Sequence, residues 1–347
     1  MRSALAALAA VAAVLALSPP AAAAPAEVRS YDLGRVSIPT PGPFGPIPVR
    51  LRGAVGAPVR PGRHPVVAVL HGRNETGCPA GMLDSDTWPC FRRENRYDLG
   101  LRHVVRSLAE RGIVAVAPSL GGAFTGGWGE PNDADRWPKI VNRTLGQIAR
   151  EASDGGGRFG VPLQDRVNLR RIGLLGHSLS GHHSVRAARR RAGNSAPDDV
   201  ARGRGPIRSL FLLTPVAQGA VLPDVPAAIL LASCDGDTGP MGRAYLRQAR
   251  RQEDRTRPVV LARLQGANHN YFNRRLARLG ADDAPRTRRC RRPHRLTARA
   301  QQRWLDLAAA DFFGATLLGE RRPTWLRLGA PRPSRVYGRR VLVRRAG

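Results

Sequence analysis

Lysine is almost absent from this 347-residue chain. Lys139 stands alone among 56 basic residues, so arginine carries nearly all of a formal net charge of +30. GC-rich coding produces such a ratio without selection for a partner. The charge is physical all the same, and it draws the protein toward anionic cell-wall polymers, lipid surfaces or nucleic acid. Aromatic residues are also scarce, at 5%. None interleaves the densest basic run, "RTRRCRRPHR" (286–295), which matches no nucleic-acid-binding motif. That run is read as a solvated face, with non-specific attraction to anionic cell-wall or lipid surfaces and no specific nucleic-acid partner. There is no internal repeat and no long low-complexity linker, and one domain over 27–347 is the simplest organisation. Oligomeric state is not legible.

Long apolar runs are missing except at the start. The stretch 4–17 is a signal-peptide core in length and is short for a membrane span; Pro19 and Pro20 follow it at once. Ala24-Pro25-Ala26 has the Ala-x-Ala form of a cleavage site, so residues 1–26 are expected to be removed, with the mature, secreted chain beginning near Glu27.

Cysteine is sparse too. Four cysteines in an exported chain predict two disulfides, for which three pairings exist. Cys78–Cys90, closing a short loop, and Cys234–Cys290 are the favoured pairs. None has the Cys-x-x-Cys spacing of zinc or redox sites.

What is present alternates between two periods. Continuous apolar runs at 66–70, 113–118, 171–175, 209–215, 227–233 and 258–264 predict fully buried strands. Between them, apolar residues at helical spacing predict helices over 98–112, 133–153 (its first turn disturbed by Pro138) and 243–252, with a long closing helix over 296–318. The mature chain opens on extended, Pro-rich sequence. The basic tail, 321–347, is expected to be a short strand or a loose extension. This alternation implies an α/β fold, with a mostly parallel central sheet and helices on both faces. Ligands then bind at the carboxyl ends of the strands.

Four features fall at those ends. Ser178, in "RIGLLGHSLSGHH" (171–183), follows a strand and precedes a helix, as a nucleophile elbow requires. The turn is crowded, so its flanks must be small; Gly176 satisfies the first, and Ser180 stands where glycine is usual. A serine nucleophile needs a base, and the base needs an acid to fix its tautomer. The strand at 227–233 runs into "CDGDTGP" and that at 258–264 into "QGANHNYFN", supplying Asp235, Asp237 and then His269 in the order Ser…Asp…His. Asp237, set further into the loop, is the expected acid, and Asp235 is expected to cap the loop. The oxyanion donors would be the backbone N–H groups of Leu179 and of Arg73, which follows His71-Gly72. Trp128, in a glycine-rich loop, is a candidate for the substrate pocket or a loop anchor. His182 and His183 lack an evident third ligand, so no metal site is expected, and the chemistry calls for no cofactor. Asn74-Glu75-Thr76 and Asn142-Arg143-Thr144 are glycosylation sequons if the host glycosylates.

On "VVAVLHGR" (66–73), "RIGLLGHSLSG" (171–181), "LASCDGDTGP" (231–240) and "GANHNYFN" (266–273), the mature chain resembles the α/β-hydrolase superfamily, and most of all its secreted lipase, cutinase and polyester-hydrolase branch with dienelactone-hydrolase-like relatives. The resemblance implies a triad of Ser178, Asp237 and His269, with Arg73 and Leu179 as oxyanion amides. In those relatives the acid is the later carboxylate of an acidic-x-Asp pattern. "CPAGMLDSDTWPC" is similar to a disulfide-closed loop of one exported subgroup. The expected activity is cleavage of carboxylic esters through an acyl-enzyme. The other readings are a peptidase or amidase on the same fold, and an inactive, arginine-rich cell-surface binding protein.

Overall fold

The computed structural model describes residues 25–40, 45–73, 78, 88–90, 93–124, 132–193, 195–327 and 334–346. Their strands form one ten-stranded sheet: β1 (Ala26–Ile38), β2 (Ile47–Pro58), β3 (His64–Leu70), β4 (Val114–Pro118), β5 (Val167–His177), β6 (Ile207–Leu213), β7 (Ala227–Ala232), β8 (Val259–Leu264), β9 (Ser334–Val336) and β10 (Arg339–Ala346). The spatial order is β1-β2-β4-β3-β5-β6-β7-β8-β10-β9. Pairing from β4 through β3, β5, β6 and β7 to β8 is parallel, and both flanks are antiparallel. The fold is α/β with a mostly parallel sheet.

The helices are α1 (Tyr97–Gly100), α2 (Arg102–Glu110), α3 (Asn132–Asp154), α4 (Leu179–Arg191), α5 (Pro197–Ala201), α6 (Arg243–Ala249), α7 (Arg274–Arg278), α8 (Ala298–Phe313) and α9 (Thr324–Arg327). The central strands are apolar over most of their length because helices cover both faces. Alternation along β3 sends Val66, Ala68 and Leu70 to one face, with Trp137 and Ile140 of α3 and Val185 of α4. Val67 and Val69 go to the other, with Val104 and Leu108 of α2 and Trp304 and Phe312 of α8.

Several local expectations are revised. The helix expected over 98–112 breaks at Leu101 (φ −100°, ψ 7°), giving α1 and α2. The helix α3 runs through Pro138 without interruption. The closing helix ends as an α-helix at Phe313 and continues as a wider turn over Gly314–Leu318. The tail is part of the sheet, since Val341 to Ala346 pair with Leu264 to Val259. The extended opening is the hairpin β1–β2, whose register shifts between Asp32 and Arg35. Both disulfides are present, Cys78–Cys90 and Cys234–Cys290. No helix among the described residues is long and apolar enough to cross a membrane.

The strands β3, β5, β7 and β8 run in one direction, so their carboxyl ends meet at one edge of the sheet. His71-Gly72, Ser178, Asp235 and His269 leave from those ends.

Candidate active site

Ser178 sits on the turn between β5 and α4 with φ 55° and ψ −126°. A non-glycine residue in this sparsely allowed region costs on the order of 1–3 kcal/mol, and such residues cluster at functional sites. Neighbouring backbone holds it there: the Ser178 N–H donates to the Leu213 carbonyl at 2.9 Å, and the Ser178 carbonyl accepts from Gly181 and Val216. Any side chain at Gly176 would collide with the Ser180 backbone. The residue after the serine, Leu179, heads α4, where the first N–H groups have no carbonyl one turn back to bond.

Ser180, the departure from glycine, is fully buried and bonded at both ends. Its hydroxyl donates to the His71 carbonyl at 2.6 Å and accepts from Trp137 Nε1 at 2.9 Å. The extra oxygen thus fastens the serine turn to the end of β3 and to α3.

That strand end is fixed from its own side as well. The Leu120 N–H donates to His71 Nε2 at 2.8 Å, so the ring proton lies on Nδ1, which donates to the Gly72 carbonyl at 2.8 Å. Burial holds this imidazole below its ordinary pKa, in the neutral form that the pattern needs. Because C=O and N–H of a trans peptide point opposite ways, the Arg73 N–H faces away from the His71 ring. A Cβ on Gly72 would stand 2.6 Å from Ser178 Cβ. Glycine therefore lets the Gly72–Arg73 peptide lie directly against the serine.

Asp235 keeps the loop-capping place expected of it and also takes the imidazole contact expected of Asp237. Asp235, not Asp237, meets the Nδ1 edge of His269: Nδ1 donates to Asp235 Oδ2 at 3.1 Å, and both side chains are buried, at 2% and 0% exposure. Asp237 is 56% exposed and places Oδ2 3.3 Å from Nε2, on the opposite edge of the ring. Loop capping and imidazole contact, expected of separate residues, both fall to Asp235. Its Oδ1 accepts from the Asp237 and Thr238 N–H groups while Oδ2 faces His269. The Thr238 hydroxyl also reaches Asp235 Oδ2, at 2.9 Å. The loop curls beneath the strand end, so the nearer aspartate points inward and the farther one outward.

Burial pulls the His269 pKa down, but the Asp235 hydrogen bond and charge, with Asp237 and Asp283, outweigh it and leave it above the ordinary imidazole range. Burial pushes the Asp235 carboxyl up, and the His269 hydrogen bond and charge outweigh that, holding it below its ordinary range. No hydrogen bond joins Ser178 Oγ to His269 among the described residues. Looser geometry of this kind is common in sites without substrate.

Three supporting residues escaped sequence reasoning. Asp283 accepts from the N–H groups of Gly236, His269 and Asn270, clasping the loops after β7 and β8 together. Asp282 accepts from Asn268 Nδ2 at 3.1 Å and is gripped by Arg295. The pair "DD" at 282–283 carries no spacing signal that would have found it. His177, next to the serine, donates from Nε2 to the His269 carbonyl at 3.2 Å, and the two rings lie 4.6 Å apart. Burial and the nearby His269 push its pKa well down. Its place beside Ser178 was the available signal.

The basic run 286–295 is more than a solvated face. Cys290 ties it to Cys234 beside Asp235, and Arg295 ties it to Asp282, so it straps the loops that carry Asp235 and His269. His182 and His183 diverge. His182 Nδ1 faces Tyr245 Oη at 3.4 Å, while His183 lies near Trp137 and Phe124 with Nε2 3.7 Å from Asp133. Asn142 lies within α3 and accepts from Arg191, and Thr144 is buried against the Ile140 carbonyl; neither suits a glycan site. Trp128 and the sequon at Asn74 lie outside the described residues. No family model matches this sequence, and no curated protein matches it either.

Proposed function

We propose that this protein is an exported serine hydrolase of the α/β-hydrolase fold that cleaves carboxylic esters through an acyl-enzyme. One observation carries the reading: Ser178, in a strained conformation at the head of α4, shares a strand edge with a buried Asp235–His269 couple. Serine after β5, acid after β7 and base after β8 follow the chain order of that architecture. Two disulfides support an oxidising, extracellular compartment.

In the proposed reaction Ser178 Oγ attacks the ester carbonyl carbon and its proton passes to His269 Nε2. The Nε2 edge faces Asp237 here, so that exposed carboxylate gives way when substrate enters. Asp235 keeps the proton on Nδ1 and balances the imidazolium. The Leu179 and Arg73 N–H groups receive the charge of the tetrahedral intermediate, an interaction worth about 3 kcal/mol per donor in comparable sites. Collapse expels the alcohol, which takes the proton from His269. Water then attacks the acyl-enzyme with His269 again as base, releasing the acid and restoring Ser178.

Steady-state turnover of nitrophenyl esters, compared with matched amide and peptide substrates, tests this. Ester cleavage that disappears in Ser178→Ala is the expected result. Faster peptide cleavage would make the protein a peptidase, and no turnover by folded protein would favour a binding role.

A further inference from the structure

A second feature lies away from the serine. A groove of about 1090 Å³ runs between α1–α2, α7 and α8, and its lining holds eight arginines against three carboxylates. Six of them, Arg93, Arg106, Arg274, Arg275, Arg278 and Arg303, are exposed and have no carboxylate partner among the described residues. Two of the three carboxylates are already engaged, Glu94 with Arg52 and Asp306 with His103. An adjoining groove of about 410 Å³ shares Arg93, Glu94 and Arg96 and adds Arg35, Arg50 and Arg52. The two form one basic trough.

The six exposed arginines add no ion pair to the fold among the described residues. Arg274 and Arg278 are four residues apart on α7, and Arg102 and Arg106 on α2; such like-charged pairs repel. Facing one another across a concavity, the groups focus positive potential into it. The trough is also held rigidly. Asn273 accepts from the Arg275 and Leu276 N–H groups at the start of α7 and donates to the Tyr97 carbonyl at the start of α1, fixing two walls together.

We infer that this trough binds a flexible, unbranched polyanion bearing phosphate, sulfate or carboxylate groups along its backbone and no bases. Planar guanidinium forks pair with such oxyanions in two-point fashion. Nucleic acid fits less well, because the trough offers bases little to stack on: His103 of the larger groove is buried, and Trp88 of the smaller one is half-buried, packed against the core at Gly121 and Gly122. An anionic membrane fits less well too, because the surface is concave and Leu307 is the only large apolar side chain of its lining that is more than about a third exposed. The arginines themselves, not an ester bond, recognise the ligand, so the inference stands apart from the catalytic reading. It would hold the protein on an anionic matrix with the serine edge beside it, since α7 begins five residues after His269.

Fluorescence anisotropy with labelled inorganic polyphosphate, and then with a labelled sulfated oligosaccharide, tests the inference near physiological salt. The variant Arg274→Gln/Arg278→Gln/Arg303→Gln is expected to weaken binding to both at least tenfold and to flatten its salt dependence. A control with the same loss of charge, Arg189→Gln/Arg190→Gln/Arg251→Gln, is expected to change it less than twofold. The two probes separate phosphate from sulfated and carboxylated sources: weakening of only one assigns the trough to that chemistry. If the triple variant does not fold, Arg303→Gln alone should weaken binding about threefold. Equal losses in groove and control variants would overturn the inference and leave only net charge. Tighter binding of an oligo-dT strand, or of phosphatidylglycerol vesicles, through the same arginines would overturn it in favour of nucleic acid or membrane.

Discussion

The serine edge and the arginine trough handle charge in opposite ways. At the edge the charged and titratable groups are few, mostly buried, and answered by named partners. Asp235 serves two N–H groups and His269, Asp283 serves three N–H groups, and His71 has a bond at each ring nitrogen. In the trough the charges are many, mostly exposed and mostly of one sign. A buried charge left unpaired costs several kcal/mol, whereas an exposed one costs little. The edge is therefore complete within the chain, while the trough gains its counter-charges from outside. Asp237 stands between the two cases: it belongs to the edge by distance and to the surface by exposure.

Substitutions at the edge should have the largest effects, and Ser178→Ala should have the largest of all. Ester turnover is expected to fall on the order of 10⁵-fold or more, as for nucleophiles that act within a triad. Next come the two aspartates. Asp235→Asn should lower kcat on the order of 10⁴-fold, because the amide no longer fixes the Nδ1 tautomer or balances the imidazolium. Asp237→Asn should cost less than tenfold. Measured kcat values for both variants sharpen the contrast between buried and exposed carboxylates; equal losses would break it.

How much of this edge could be read from sequence depends on how local each cause is. The buried strands were legible because a run such as "VVAVL" leaves no polar face, and Ser178 because its strand, turn and helix are contiguous. His269 was legible from chain order. The choice between Asp235 and Asp237 was not, because it depends on which way a loop curls, and that curl is set by Asp235 capping its own loop and by Thr238 beneath it. Asp283 was illegible for a different reason: it lies 47 residues from Gly236, and only the fold brings them together. The hairpin β1–β2 was hidden by its shifted register, which breaks the two-residue period. The arginine trough has no sequence signature either, being assembled from five separate segments: Arg35, 48–52, 88–110, 274–278 and 303–307.

Smaller effects should follow from the supports. Replacing Cys234 and Cys290 together by serine opens a link between residues 56 apart. The chain-entropy model puts the loss at about 4 kcal/mol. Denaturant unfolding measures it, and because the strap carries Arg295 onto Asp282, turnover should fall as well. Ser180→Ala should cost about 1–3 kcal/mol, since the buried His71 carbonyl and Trp137 N–H both lose a partner. Ser180→Gly should cost at least as much; the same unfolding assay reads both.

The smallest expected change is in pH dependence. In the proposed reaction His269 must be neutral to accept the Ser178 proton, so turnover should be lost as pH falls through its raised pKa, and the acid limb should lie above the ordinary imidazole range. Asp237→Asn removes one of the charges that raise it and should move the limb to lower pH. A pH–rate profile of kcat/KM for the two proteins reads the shift.

The most direct test of the central claim is labelling with a fluorophosphonate, followed by peptide mapping of the modified residue. The probe requires an activated serine beside oxyanion donors and makes no assumption about the ester. A single label on Ser178 is expected, lost in His269→Ala, strongly reduced in Asp235→Asn and retained in Asp237→Asn. Absence of label on folded, disulfide-intact protein would contradict that claim, as would label on any other serine.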